Sequence, residues 1–156
     1  MNTVQQRTWN ELRPWDFGEP DAAPGYSFVD KLARNTGWPV NHAKRVVEEF
    51  RKYVFILACF AEEVLAPSAD VDEAWHLALQ FTRRYALMCE RFLGEFKHHT
   101  PSISDENQRQ LRLTLDRTLQ VYEQLFCQVP PRDIWSSEDR RYPSRQPAPA
   151  QDGNCA

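Results

Sequence analysis

A chain of 156 residues, 42% hydrophobic and 26% charged, is long enough for one domain with its own core. Nineteen Lys and Arg against 22 Asp and Glu leave a formal charge of −3, so no basic excess points to nucleic acid and no nucleic-acid partner is expected. The most apolar run, Tyr53 to Ala61, is about half of the roughly 20 residues that cross a bilayer, which argues against membrane insertion.

The eleven prolines and five glycines are unevenly placed. Residues 1–26 contain Pro14, Pro20 and Pro24 beside Trp9, Trp15 and Phe17, a pattern that predicts an irregular arm pinned to the body by its aromatics. Ser27 is a suitable N-cap for a short helix over Phe28 to Asn35, ended by Gly37 and the Trp38-Pro39 step. Between Val40 and Val129 the only breakers are Pro67, Gly94 and Pro101, which leaves room for three long helices. In the first, capped by Asn41, Ala43, Val46, Val47, Phe50, Val54, Leu57, Ala58 and Ala61 form one apolar stripe at helical spacing. The second starts at Ser68 or Asp70, Asp70 and Glu73 matching a capping box. Its seam is Val71, Trp75, Ala78, Thr82, Tyr85, Cys89 and Phe92, and Gly94 closes it. The third, capped by Ser104, buries Leu111, Leu115, Leu119, Tyr122, Leu125 and Phe126 and stops at Pro130-Pro131. Beyond Ser136 nothing is left to bury.

The expected fold is therefore all-α: a compact bundle of three long helices plus one short N-terminal helix. An irregular arm (1–26) precedes the helical domain (27–136), and a disordered tail (137–156) follows it. The four cysteines, Cys59, Cys89, Cys127 and Cys155, include no CxxC pair, and Met1 to Trp15 has no apolar core of the kind a secretory signal needs. Reduced thiols and a cytoplasmic location are expected.

Asp72 and His76 stand four apart on the second long helix, so both project from one face, a spacing that suits two ligands of one metal ion. His98 and His99 follow the end of that helix, and Glu106 near the start of the next adds a carboxylate. Two histidines with one or two carboxylates suit a divalent ion such as zinc or iron. The competing reading is structural: Asp72 favours the helix dipole, His76 is hydrogen-bonded, and His98 and His99 neutralise the helix end. His42 reads as surface. Trp75, Thr82 and Tyr85 share the seam; Tyr85 is placed to donate a hydrogen bond nearby. No GxGxxG, Walker loop, GxSxG or HExxH is present, so no reaction is named.

Several segments occur in a familiar order: Ser27 to Trp38, Pro67-Ser-Ala-Asp-Val-Asp-Glu-Ala-Trp-His76, Thr82 with Tyr85, Cys89, His98-His99-Thr-Pro101, and Tyr122 through Trp135. The chain resembles the bacterial glycine-rich domain-containing-protein-like family, related to a domain of the plant glycine-rich domain proteins. The resemblance covers roughly residues 27–136, and its most specific part is Val-Asp-x-x-Trp-His followed by His-His-x-Pro. It implies a shared polar site at Asp72, Trp75, His76, Thr82, Tyr85, His98 and His99. Two departures stand out. The family's usual second histidine in Trp-His-x-His is Ala78 here, and Ser102-Ile103-Ser104 replaces its glycines. The alternative to a metal or polar pocket is an interaction module with a protein partner, docking through the arm, Ile134-Trp135 and the tail.

Overall fold

The structure of the chain, a computed structural model, describes residues 1–99 and 105–136, with side chains described everywhere in that range except 105–111. Its helices are α1 (Thr3–Leu12), α2 (Phe28–Thr36), α3 (Val40–Cys59), α4 (Ala69–Gln80), α5 (Thr82–Met88), α6 (Asp105–Phe126) and α7 (Arg132–Trp135). A π-helical turn, Cys89–Leu93, extends α5. Among the described residues there is no strand, and no helix is long and apolar enough to cross a membrane. The all-α expectation holds. Ser104 and the tail, 137–156, lie outside the described residues.

The arm departs from expectation by opening with a helix. Asn2 and Gln5 cap each other's backbone amides at 2.9 Å, a reciprocal box that satisfies two otherwise orphaned donors. The Asn-x-x-Gln spacing was the available signal; the prolines that suggest irregularity all lie after it. The arm is pinned as expected. Leu12 and Phe17 are buried, Trp9 packs on Phe55 and Phe126, and Phe17 packs on Phe28 and Phe50. Each such buried side chain contributes roughly 1.5–3 kcal/mol of apolar transfer energy.

α2 keeps its expected limits within a residue, with Ser27 capping Asp30 and Gly37 in the left-handed region at φ 73°. α3 starts one residue before the expected Asn41 cap. Pro39 is its N-cap instead, contributing no amide that needs a partner. α3 is the central rod, packing on α1, α2, α4, α6 and the π turn. The second long helix is broken at Phe81, whose φ −88° and ψ 59° leave the helical region. Phe81 directs its ring against Phe28 of α2, at 5.7 Å between centroids. This break takes Thr82 out of the seam and leaves it exposed, while Tyr85, Cys89 and Phe92 remain buried.

α7 closes the bundle. Arg45 donates two bonds of 2.6 and 2.8 Å to Asp133 and holds that carboxyl below the usual range. Trp135 is buried, lies edge-on to Tyr122 and tilted against Tyr53, and donates its indole N–H to Glu49 at 2.8 Å. Glu49 also accepts from Lys52, which donates to the Tyr122 hydroxyl at 2.6 Å. α7 packs on α4, the helix that carries the candidate ligands.

Candidate functional site

The site is built on the first turns of α4. Ser68, fully buried, accepts from the Val71 amide at 3.3 Å and fixes where the helix begins. Asp70 and Asp72 occupy the first turn, where the helix dipole favours negative charge. Four residues on, His76 stands over Asp72 on the same face, with Nε2 3.6 Å from Asp72 Oδ2. That separation is too long for a good hydrogen bond. His99 arrives from the far side and places its Nε2 2.8 Å from the other oxygen, Oδ1. The two imidazoles lie 4.6 Å apart between ring centres. One ligand atom from each of Asp72, His76 and His99 falls within 4.8 Å of the others.

Helix geometry alone cannot bring His99 here, because it lies in the connector after Gly94, where residues 95–99 form no helix or strand. Gly94, at φ 76°, ends the π turn by bonding Cys89 O and reverses the chain. The returning strand of backbone is then held from α4 and α5. Trp75 donates its indole N–H to the Tyr85 hydroxyl at 2.9 Å, and that hydroxyl donates to Lys97 O at 2.5 Å. Phe96 lies edge-on to Tyr85, and Trp75 edge-on to His99. Burial pushes the Tyr85 phenol well above its ordinary pKa, so it stays protonated as a donor.

The predicted residues divide accordingly. Asp72, His76 and His99 converge, with Trp75 and Tyr85 behind them. His98 does not join them: it is exposed, its ring against Phe96 at 4.9 Å. Thr82 is exposed at the start of α5 for the reason given above, and the side chain of Glu106 lies outside the described residues. Ala78 is a core residue, 1% exposed. His42, read from sequence as surface, instead bonds Asp70 at 2.9 Å and packs edge-on against Trp38. No local spacing links positions that far apart. Ile134 and Trp135, which the alternative reading offers to a partner, are buried in the chain's own core.

A family model described as UCP032817-like matches residues 27–130, two thirds of the sequence and all three converging residues. The chain belongs to the UCP032817-like family. This corrects the glycine-rich domain-containing-protein-like resemblance: the segments quoted for it fall largely inside the UCP032817-like match, and nothing shows a glycine-rich domain family. Five glycines in the whole chain, none in a run, agree with the correction. No curated protein and no solved structure matches this UCP032817-like chain. The family description names no activity, so function rests on the geometry of the cluster. A carboxylate between two imidazoles can hold either a proton or a divalent cation.

Proposed function

We propose that this small helical protein binds a divalent transition-metal ion through Asp72, His76 and His99. The observation that carries the reading is the spacing of the three ligand atoms. Ligands about 2.0–2.1 Å from a tetrahedral zinc lie about 3.4 Å from one another. Asp72 faces His99 through Oδ1 at 2.8 Å and His76 through Oδ2 at 3.6 Å, and one ligand atom from each of the three lies within 4.8 Å of the others, so side-chain rotations that draw both imidazoles onto one carboxylate oxygen close the site. Two nitrogens and one oxygen leave a coordination position open, as in catalytic zinc sites and in non-haem iron sites with a two-histidine, one-carboxylate triad. Zinc or iron is the ion class. The domain of this reading is residues 27–136, with residues 1–26 as an arm packed on it.

Protein purified without an affinity tag and dialysed against zinc is expected to retain one ion per chain. At a free concentration about 100 times Kd the ion adds about 2.7 kcal/mol, raising Tm by roughly 5–10 °C. His76→Ala is the cleanest variant, because its side chain is 46% exposed and carries little packing. It is expected to abolish the Tm rise while leaving the metal-free Tm near that of the parent. No stoichiometric ion, with Tm unmoved by zinc and by chelator alike, overturns the reading.

One observation favours a second reading. The 2.8 Å bond from His99 to Asp72 is already a good hydrogen bond and can fasten the connector to α4 without any ion. Under that reading His99→Ala lowers the unfolding free energy by the cost of a buried bond, about 1–3 kcal/mol, and zinc changes nothing in either protein.

A further inference from the structure

We propose that Tyr85 is a positioning residue for the metal site, setting the place of His99 through its hydrogen bond to Lys97 O. This rests on the metal reading above. Asp72 and His76 are placed by the helix they share, whereas His99 ends a described stretch, residues 95–99, that is not helical. Its location must come from side chains. Tyr85, on α5, hydrogen-bonds to both partners: α4, which carries two ligands, and the segment that carries the third.

The bonding leaves no choice of direction. An indole N–H only donates and a backbone carbonyl only accepts, so the phenol oxygen takes the Trp75 proton while the phenol proton goes to Lys97 O. Neither bond can be reversed, and one hydroxyl serves both groups. Lys97 lies two residues before His99, so fixing its carbonyl fixes the path by which the imidazole approaches Asp72. Trp75 does double duty, since its ring also lies 4.7 Å from that of His99. The Phe96 ring on Tyr85, at 5.2 Å, holds the connector from its outer side. Groups that orient metal ligands typically change affinity by about 10- to 100-fold when removed.

The test is a cobalt(II) titration, followed by absorbance, of the full chain and of Tyr85→Phe, His99→Ala and the double variant. Tyr85→Phe is expected to weaken binding about 10- to 100-fold. In the His99→Ala background the same substitution is expected to cause no further loss, because the connector then carries no ligand. A merely structural tyrosine would weaken both backgrounds by the same factor, and that result overturns the proposal. Equal affinity of Tyr85→Phe and the parent overturns it too. A parent chain that takes up no cobalt instead removes the metal reading itself, and this proposal with it. Should Tyr85→Phe fail to fold, Phe96→Ala replaces it, since Phe96 is 47% exposed and its loss unseats the connector without opening the core. Several-fold weakening, absent in the His99→Ala background, supports the role; unchanged affinity overturns it.

Discussion

Replacing Trp135 by Phe removes one N–H from a buried carboxylate while keeping an aromatic ring in the same space. The indole bond to Glu49 is 2.8 Å long, and both residues are buried. A hydrogen bond to a charged group is worth about 1.5–3 kcal/mol, and the smaller ring loses some packing against Tyr122 and Tyr53. The expected cost is about 2–3 kcal/mol, a fall in Tm of roughly 4–12 °C for a chain of this length. Thermal unfolding followed by far-ultraviolet circular dichroism measures it. In a Glu49→Gln background the acceptor is neutral, and the same substitution should cost nearer 1 kcal/mol, the value for an ordinary hydrogen bond. If Trp135→Phe costs the same in both backgrounds to within about 0.5 kcal/mol, the charged bond is not what fastens α7, and the reasoning fails. The outcome bears on the site because α7 packs on α4.

Two further predictions concern the helix that carries the site and the buried phenols. Ser68→Ala should destabilise by about 1–2 kcal/mol in urea unfolding, because the buried Val71 amide loses its cap, whereas Ser68→Thr should recover most of the loss. Tyr85 and Tyr122 both have phenol pKa values raised above 10, by burial first and, for Tyr122, by the nearby Glu49 carboxylate. A raised folded-state pKa means stability that is complete below the unfolded value of about 10 and is lost as pH rises beyond it. Unfolding free energy should therefore fall steeply above roughly pH 10, and the slope should be shallower in Tyr122→Phe. An equal slope in the two proteins removes Tyr122 from that account.

The extent of helix was legible because apolar spacing and breakers are local properties. Ser27 and Gly37 bound α2 by backbone chemistry that any context would respect, and the stripe from Ala43 to Leu57 is buried in α3, where Glu49, Tyr53, Phe55 and Ile56 are buried as well. The break at Phe81 was not legible. Its seam spacing is continuous in sequence, and the α2 side chains that meet the Phe81 ring, Phe28 and Lys31, lie about fifty residues away in the chain. Trp135 misleads in the same way. An aromatic near a Pro-rich end reads equally well as an anchor for a partner or for the chain itself, and the position of Glu49 decides for the latter.

Within the site the division is equally physical. The sequence by itself determined that Asp72 and His76 share a face, because a helix of 3.6 residues per turn stacks positions four apart. It also named both histidines of the connector without choosing between them. Tertiary structure made the choice: Gly94 turns the chain back, Tyr85 holds Lys97 O, and His99 meets Asp72 while His98 faces outward to Phe96. Tertiary structure likewise paired His42 with Asp70 across α3 and α4. Contacts between residues far apart in sequence depend on the path of the whole chain, and no local spacing encodes that path.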